Sequence, residues 1–538
     1  MPGDSTVAKI LRHQADSRGN HPLLVCDYDR ISYGDADRRS AELARGLIAL
    51  GTGKGTHVGL LYPNSTDFVV GMLAAARIGA VVIPFSTFAT ARELREQLVD
   101  SDTEILLSAA SFRSHDYVQR LTDIAPEPDS DSDSDSGHRM FSTAAPQLRH
   151  IGISHGQAAM QRPRDIERIY RLAATIEPAL LRAMEDDVLD CDALSIVYTS
   201  GSTAAPKGVV HTHAALLEHQ RNLNEIRGLR PTDKLFCNSP FFWIGGLAFA
   251  LLATLVAGST LVCSNATDAG ATLDLLEAER PTLTNGFAAG VTHLAEHPSF
   301  ADRDLSSMRR GNLYPIMARD ARPADPELRH NMLGMTEAGS VVLVSGDESD
   351  QPEARRGSFG KPAPGFQTSI IDPDTTKVVG TGETGELCIR GPYVMQRYYK
   401  RSREECFDAD GWFHTGDLMR ADADGFLYFV GRRSAMIKSA GANVSPPEVE
   451  KAIGKVTGGL SSYVLGIHDA QRGQLVAAVI AFPDGSETFD ETALRERLKS
   501  ELSVYKIPNR FIALPSADIP LLSSGKVDTQ QLRKLFDV

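Results

Sequence analysis

Tyr198-Thr-Ser-Gly-Ser-Thr-Ala-Ala-Pro-Lys207-Gly208 is the stretch on which the interpretation of the chain depends. It follows an apolar run at residues 193–197 and consists mostly of small and hydroxyl residues. An apolar run followed by turn-forming residues predicts a strand that leads into a loop. Backbone amides in such a loop can converge on anionic oxygens, hydroxyl groups add donors, and a lysine adds a mobile charge. The stretch therefore predicts a phosphate-binding loop.

This loop differs from the Walker pattern G-x-x-x-x-G-K-[ST]. Lys207 is followed by Gly208, and five residues separate Gly201 from Lys207. Taken alone, the stretch is also compatible with a surface loop rich in turn residues. Other stretches of the sequence are needed to distinguish a phosphate-binding loop from a surface loop.

Strands and helices alternate on both sides of the loop. Before it, residues 57–61 and 81–84 are predicted strands, residues 67–78 between them are a predicted helix, and residues 163–184 are a further helical stretch. Beyond it, the apolar patch at 245–256 is predicted to be a buried helix and residues 260–263 a strand. Alternation of this kind indicates βαβ units and a parallel sheet. Residues 366–395 change to short alternating strands with Gly, Pro and Asp turns, which favours a small β-barrel or sandwich. From about Arg433 a mixed α+β pattern runs to the end of the chain.

The composition excludes several classes of partner. The chain has 538 residues, and its 56 Lys and Arg against 69 Asp and Glu give a net charge of −13. No bulk positive field is available to hold nucleic acid or an anionic membrane. No run of about 18 apolar residues predicts a membrane span. The six cysteines are scattered without a C-x-x-C pair, and the first residues lack a signal-peptide pattern, so we expect a cytoplasmic protein.

Five further stretches carry polar groups that suit nucleotide chemistry. In chain order they are Asn331-Met-Leu-Gly-Met-Thr336-Glu337, Asp410-Gly-Trp-Phe-His-Thr-Gly416-Asp417, Gly431-Arg432, Gly441-Ala-Asn443-Val-Ser-Pro-Pro-Glu448-Val-Glu450 and Leu521-Leu-Ser-Ser-Gly525-Lys526-Val527. Each alone is equally compatible with a turn, a helix cap or a surface lysine. Their joint occurrence in this order is the informative observation.

Together with the loop at Tyr198, these stretches resemble the adenylate-forming superfamily of acyl-CoA synthetases, peptide-synthetase adenylation domains and beetle luciferases, and most of all bacterial acyl-CoA ligases. The resemblance covers the chain from Tyr33-Gly-Asp to Lys526. It implies an α/β fold whose large N-terminal domain, residues 1–432, contains two parallel-sheet subdomains and a small β-barrel. Residues 433–538 would form a small, mobile α+β domain that carries the catalytic lysine.

The resemblance also implies a role for each motif residue. The ATP site would comprise Thr199, Ser200, Gly201, Ser202, Thr203, Lys207, Leu333, Gly334, Met335, Thr336, Asp417 and Arg432. Glu337 would hold Mg²⁺, a hard cation that prefers oxygen ligands. Lys526, Lys207, Thr336 and Glu337 would be catalytic. Gly441 and Asn443 would line the path of the thiol, and Ser434 would be the hinge.

The reaction implied by the resemblance has two steps. A carboxylate attacks the α-phosphorus of ATP and expels pyrophosphate, and the acyl group then passes from AMP to coenzyme A. A separate carrier protein is an alternative acceptor. A further alternative is a diazotase-type enzyme that activates nitrite for reaction with an aryl amine. A protein that binds adenylate without turnover is disfavoured because Lys207, Glu337, Asp417 and Lys526 are all present.

The sequence departs from the usual pattern where the substrate is selected. Leu333 replaces an aromatic residue that commonly packs on adenine, and Trp243 replaces a frequent histidine. Ser434 and Ala435 replace the charged pair that usually follows the hinge Gly-Arg. The expected substrate pocket consists of Phe242, Trp243, Gly245, Gly246 and Tyr314. Its large rings would shorten the pocket and favour a short, branched or aromatic acid, unless they simply pack the core.

Overall fold

The computed structural model describes residues 5–125, 139–154, 164–199, 206–373, 375–433, 437–483, 490–520 and 527–537. The candidate residues Ser200, Gly201, Ser202, Thr203, Ser434 and Lys526 lie outside these ranges. The chain divides into two compact units. The larger comprises Met1–Thr87, Gln97–Tyr198 and Gly208–Gly431, and the smaller comprises Phe88–Glu96, Thr199–Lys207 and Arg432–Val538.

The helices follow the predicted alternation. They are α1 (Val7–Arg18), α2 (Tyr33–Ala49), α3 (Thr66–Ala76), α4 (Ala91–Asp100), α5 (Tyr117–Ile124), α6 (Ile166–Leu172), α7 (Pro178–Asp187), α8 (His213–Arg227), α9 (Ile244–Gly246), α10 (Ala253–Ala257), α11 (Ala269–Glu279), α12 (Thr292–Ala295), α13 (Pro446–Thr457), α14 (Glu491–Leu498) and α15 (Thr529–Lys534). A π-helical segment, Leu247–Leu252, joins α9 to α10.

The strands are β1 (Pro22–Cys26), β2 (Asp29–Ser32), β3 (His57–Leu61), β4 (Val81–Pro84), β5 (Ile105–Ala109), β6 (Ser111–Phe112), β7 (His115–Asp116), β8 (His150–Ser154), β9 (Ala193–Thr199), β10 (Lys207–Thr212), β11 (Lys234–Cys237), β12 (Thr260–Cys263), β13 (Leu283–Asn285), β14 (Arg310–Gly311), β15 (Leu333–Met335), β16 (Ser340–Val344), β17 (Lys361–Pro362), β18 (Gln367–Ile371), β19 (Gly385–Arg390), β20 (Arg397–Tyr398), β21 (Phe413–Ala421), β22 (Leu427–Arg432), β23 (Ile437–Ser439), β24 (Ala442–Val444), β25 (Ser461–Asp469), β26 (Gly473–Phe482) and β27 (Arg510–Pro515).

Two parallel-containing sheets form the body of the larger unit. The first has the order β14-β13-β11-β12-β1-β2, and only the β1–β2 pair of its recorded pairings is antiparallel. The second has the order β20-β10-β9-β4-β3-β5-β8, with parallel pairing of β3 to both β4 and β5. Strands such as β4 are buried along their whole length, which explains their continuous apolar sequence. The prediction of an α/β fold with parallel sheets is confirmed.

Two antiparallel sheets follow, and strands β18 and β19 of the second lie in the region 366–395 that was predicted to form short alternating strands. One has the order β15-β16-β17 and the other β18-β19-β21-β22. Leu333, Met335, Leu387 and Phe413 contribute to one shared apolar cluster, so both sheets pack against the same core. This core supports the segment that contains Thr336 and Glu337.

The smaller unit is a separate α+β body. Strand β26 lies between β23 and β25 and pairs in parallel with β27. The ammonium group of Lys506 lies 3.0 Å from Glu93 and 2.7 Å from Glu448, and all three side chains are largely buried. This ion-pair network attaches the first half of α4 to α13 within the unit. No local pattern in the sequence predicted that residues 88–96 pack with the C-terminal part of the chain.

Two predicted helices differ in detail from the structure. The expected helical stretch at 163–184 is interrupted between α6 and α7, because Pro178 begins a new helix at its first position. The apolar patch at 245–256 contains a π-helical turn. A Cβ atom at Gly246 would lie 2.0 Å from the carbonyl oxygen of Pro240, so only glycine permits this close approach. Within the described part of the chain, no helix has the length and apolar character needed to cross a bilayer.

Candidate active site

Thr336 and Glu337 lie on a short 3₁₀ turn, Thr336–Ala338, between β15 and β16. The turn ends at Gly339, whose φ of 67° lies in the left-handed region that favours glycine. The backbone carbonyl of Glu337 accepts a hydrogen bond from the amide of Met395 at 2.8 Å. The backbone of this motif is therefore held from both strands and from a neighbouring loop.

The carboxylate of Glu337 has a defined orientation. Its Oε1 atom accepts a hydrogen bond from the hydroxyl of Tyr398 at 2.8 Å. Tyr398 lies on β20, where it pairs with Val209 of β10. Burial and the adjacent Glu337 raise the pKa of Tyr398, so the phenol remains a proton donor. One carboxylate oxygen is thereby attached to the edge of the seven-stranded sheet.

Two buried histidines hold the same segment from the other side. Nε2 of His211 lies 2.6 Å from the carbonyl oxygen of Thr336, and Nε2 of His219 lies 2.9 Å from that of Val341. Burial lowers the pKa of both histidines to about 4, so both are neutral at physiological pH. A neutral imidazole that donates from Nε2 has its proton on that nitrogen. His211 and His219 therefore act as fixed donors to the backbone around Thr336.

Asp417 is buried in β21, immediately after Gly416. Gly416 has a φ of 72°, and its amide donates to Oε1 of Glu386 at 2.9 Å. The amide of Asp417 donates to Oγ1 of Thr415 at 3.1 Å. The turn that precedes Asp417 is thus fixed by one hydrogen bond to β19 and one within β21, and the positive φ of Gly416 favours glycine at that position.

Leu333 and Met335, two of the candidate ATP residues, point into the apolar cluster between the antiparallel sheets, whereas Gly334 between them is exposed. Leu333 pairs with Leu343 on β16. The predicted contact of Leu333 with adenine remains a prediction, and packing in the core is a sufficient reason for an aliphatic side chain at this position.

A cavity of about 300 Å³ lies next to these motifs in the larger unit. Its lining residues are Leu223, Glu225, Ile226, Arg227, Gly228, Phe249, Leu283, Thr284, Asn285, Arg310, Gly311, Asn312, Tyr314, Arg329, His330, Met332, Val344, Ser345, Gly346, Asp347 and Glu348. Tyr314 was predicted to line a substrate pocket, and it is among these residues. Phe242, Trp243, Gly245 and Gly246 are not.

Phe242 and Trp243 instead form a chain of aromatic contacts. Their rings meet edge to face with centroids 5.5 Å apart, and Trp243 meets Phe287 in the same way at 5.8 Å. Phe242 is buried, whereas Trp243 and Gly245 are half-buried. These contacts agree with the alternative that the rings pack the core.

The remaining described candidates belong to the smaller unit. They are Thr199, Lys207, Arg432, Gly441 and Asn443. Ala440 and Gly441 connect β23 to β24 with φ values of 48° and 82°. Two successive left-handed residues are typical of a type I′ hairpin turn, which favours glycine at its second position. Asn443 lies opposite Lys438 in this hairpin.

Sequence reasoning missed His211, His219 and Tyr398. His211 directly follows the apolar pair Val209-Val210, which is a pattern typical of any buried strand. Tyr398 is 61 residues from Glu337, and His211 is 125 residues from Thr336. No local signal connects residues at such separations.

In the described part of the chain, no cluster of three or more His, Cys, Asp or Glu side chains is arranged to hold a metal ion. Mg²⁺ commonly uses one or two protein carboxylates and completes its octahedron with water and phosphate oxygens. The single carboxylate of Glu337, fixed through one oxygen by Tyr398, fits that mode of binding.

Comparison with known proteins confirms the family that the motifs resemble. The sequence pattern of the AMP-binding enzyme family matches residues 11–399, and that of the AMP-binding enzyme C-terminal domain matches residues 448–526. Feruloyl-CoA synthase from Amycolatopsis sp is 30% identical over 518 residues, which cover 94% of each chain.

Solved structures share the fold. Amide bond synthetase McbA from Marinactinospora thermotolerans superimposes with a TM-score of 0.76 at 22% identity, covering 99% of both chains. ATP-bound MatB from Rhodopseudomonas palustris superimposes with a TM-score of 0.64 at 24% identity and the same coverage. The fold and these relationships define an AMP-forming ligase. The chain belongs to the AMP-binding enzyme family.

The two neutral histidines predict a pH dependence of stability. Because the pKa of His219 is about 4 in the folded protein and about 6.5 in the unfolded chain, the unfolded chain binds a proton first as the pH falls. The free energy of unfolding should therefore decrease below pH 6.5, by about 2 kcal/mol per histidine at pH 5. His219→Gln should reduce by about 2 kcal/mol the difference in stability between pH 7.5 and pH 5.

Urea unfolding at the two pH values measures this difference. His13→Gln, which changes an exposed histidine of the same unit, is the matched control and should behave as the unmodified protein. An unchanged difference in His219→Gln would show that His219 is not held neutral.

Proposed function

We propose that the protein is an ATP-dependent ligase that joins a carboxylic acid to AMP, releases pyrophosphate and passes the acyl group to coenzyme A. The observation that carries this proposal is the fixed carboxylate of Glu337, bound to Tyr398 and preceded by Thr336, in a chain of the AMP-binding enzyme family. Coenzyme A is supported as the acceptor by the relationship to feruloyl-CoA synthase.

In the first step, a carboxylate oxygen of the acid forms a bond to the α-phosphorus of ATP as the bond to pyrophosphate breaks. Lys207 and the hydroxyl residues Thr199, Ser200, Ser202 and Thr203 would bind the departing phosphates. Thr336 would contact the α-phosphate, and Lys526 would stabilise the charge that develops between the acid and the phosphorus. Asp417 and Arg432 would bind the ribose. Positioning and charge stabilisation account for most catalysis of this type.

Glu337 would hold Mg²⁺ through its carboxylate. When bound, the ion would neutralise the negative charge of the phosphates. Tyr398 keeps the carboxylate in one orientation, and His211 and His219 keep the backbone of the segment in place. The chain thus presents one prearranged oxygen ligand.

In the second step, the thiol sulfur attacks the acyl carbon, the bond to AMP breaks, and the thiol proton passes to solvent. Gly441 and Asn443 would line the approach of the thiol. The small domain, residues 433–538, would rotate about Ser434 between the two steps, because Lys526 and the Gly441 turn serve different reactions.

The acid is proposed to be short, branched or aromatic. The cavity of about 300 Å³ lies at the lower end of the range for ligand pockets. Tyr314 and Phe249 supply flat apolar walls. We propose a cytoplasmic location, since all six cysteines are free thiols.

Exchange of labelled pyrophosphate into ATP tests the first step. A panel of acids, with nitrite as a further arm, should give exchange with at least one short or aromatic acid. Mass spectrometry of the products with coenzyme A, a phosphopantetheinylated carrier protein or an aryl amine then identifies the acceptor. Exchange with nitrite alone, or with nothing, would contradict the proposed reaction.

Lys526→Ala should strongly slow the first step, formation of the acyl adenylate, without preventing nucleotide binding. We expect the exchange rate to fall by at least about 100-fold, because the charge at the reacting centre is lost. The dissociation constant for ATP, measured by calorimetry, should change by less than about threefold. Lys499→Ala removes a lysine from an exposed ion pair with Glu496 and is the matched control. Equal losses of binding and rate in Lys526→Ala would argue against the assigned role.

Tyr398→Phe should weaken the use of Mg²⁺. The variant leaves Glu337 without the hydroxyl that orients it, and hydrogen bonds to charged groups are worth enough to change an equilibrium about tenfold. The Mg²⁺ concentration that half-saturates pyrophosphate exchange should rise by about that factor. Tyr399→Phe removes a neighbouring hydroxyl, which donates to Asp102 at 2.9 Å, and should leave the Mg²⁺ dependence unchanged. The same half-saturation in Tyr398→Phe and the unmodified protein would exclude this role.

A further inference from the structure

The cavity next to the motifs contains more charge than the binding of a purely apolar acid requires. Three arginines, Arg227, Arg310 and Arg329, lie in its wall. Arg310 pairs with Asp233 at 2.6 Å, and Arg329 pairs with Asp350 at 2.6 Å. These two guanidinium groups are therefore neutralised by carboxylates from outside the cavity.

Arg227 is different. It ends helix α8, and its guanidinium lies over the ring of Phe249 at 4.1 Å from the centroid. Nη2 donates to the carbonyl oxygen of Phe249 at 3.0 Å and to Oδ1 of Asn224 at 2.9 Å. Among the residues that the structure describes, no carboxylate lies within ion-pair distance of Arg227, and its enclosed Nη1 atom has no hydrogen-bond partner.

A guanidinium without a counter-ion is costly to bury. Removing a charge from water costs several kcal/mol even after the surroundings relax, and buried charges are normally paired. Burial lowers the pKa of Arg227 to about 9, in agreement with a desolvated and unpaired cation. A cation at the end of a helix gains some stabilisation from the helix dipole, but only a fraction of that cost.

The acidic residues of the cavity do not compensate Arg227. Glu225, Asp347 and Glu348 are exposed, so water screens their charges. Glu348 accepts a hydrogen bond from the amide of Gly311 at 3.1 Å, and Asp347 accepts from Ser349 and Gln351. His330 pairs its Nδ1 with Ser358 at 3.0 Å.

We propose that Arg227 binds a second carboxylate on the acid that the enzyme activates, so that the substrate is a small dicarboxylic acid. This inference rests on the proposed function, because it assumes that the cavity holds the part of the acid remote from the reacting carboxylate. Phe249 and Tyr314 would contact the body of the substrate. Nη1 of Arg227 is enclosed in this structure, so the distal carboxylate would reach it after a change of rotamer at Met332, a flexible side chain that also lines the cavity. Nη1 would then donate to that carboxylate.

Matched substrates test the inference without any mutation. Pyrophosphate exchange is measured for glutarate, terephthalate and the mono-amide of each, since an amide keeps the size of the distal group and removes its charge. The proposal predicts a kcat/KM for the diacid at least about tenfold higher than for its mono-amide, with the difference mainly in KM.

Variants then assign the preference to Arg227. Arg227→Met should reduce the preference for the diacid to less than about threefold, and Arg227→Lys should restore part of it because the charge returns without the planar fork. Arg221→Met is the matched control, since Arg221 is on the same helix, is partly exposed and pairs with Glu218. It should retain the full preference.

The possible results distinguish a failure of the Arg227 assignment from a failure of the proposed function. Exchange with the mono-amides and simple monocarboxylic acids at rates equal to those of the diacids would overturn the role of Arg227 and leave the proposed function intact. Exchange with no acid at all would remove both. If thermal unfolding shows that Arg227→Met does not fold, the comparison of substrates on the unmodified enzyme still decides the question.

Discussion

Several polar side chains that β10 and α8 bury form hydrogen bonds to other elements, and these bonds hold the larger unit together. His213 accepts from the amide of Val7 at 3.2 Å through Nδ1, which attaches α1. His211 and His219 donate to the segment around Thr336, and Asn224 donates to the carbonyl oxygen of Ala253 at 2.8 Å. Because these groups lie in a region of low dielectric, leaving one of them unpaired would cost more than the bond itself contributes. One strand and one helix thus fix three other parts of the fold.

This constraint has a direct consequence for the candidate chemistry. The carboxylate of Glu337 can act as a preformed oxygen ligand only if its backbone does not move, and the carbonyl groups on both sides of it are bound by neutral histidines. A prearranged charge needs no reorganisation when a phosphate arrives, which is the main advantage of an enzyme over water. Helix α8, which carries His219, ends at Arg227, and Arg227 lies in the wall of the cavity. The helix that supports the backbone around Thr336 therefore also contributes a cation to the neighbouring cavity.

Much of the fold could be predicted because its signals are local. Strands β3, β4 and β12 are apolar runs bounded by turn residues, and they occur where the sequence predicted them. The α/β architecture and its two-part organisation also follow from alternation and from motif order. The sequence predicted one helix over residues 163–184. The break between α6 and α7 was missed because Pro178 occupies the first position of a new helix.

The site was predictable only in part. Motif residues such as Glu337 and Gly416 are visible in the sequence, but Tyr398, which donates to Glu337, and Glu386, which accepts from the Gly416 amide, come from distant strands. Trp243 contacts Phe242 and Phe287 edge to face, and the predicted place of Phe242 and Trp243 in a substrate pocket remains a prediction. The cavity is lined by residues that the motifs did not indicate, such as Phe249 and Arg227. Which side of a helix faces a cavity depends on packing between elements, and no local pattern in the sequence records it.

Transfer of an oxygen atom is the most direct test of the central claim that this enzyme joins an acid to AMP. The acid that supports exchange is labelled with ¹⁸O in its carboxylate and incubated with ATP and the acceptor, and the AMP is examined by mass spectrometry. One ¹⁸O atom in AMP is the predicted result, because the carboxylate oxygen remains on phosphorus when the acyl group leaves. Unlabelled AMP, or formation of ADP with label in phosphate, would contradict the account.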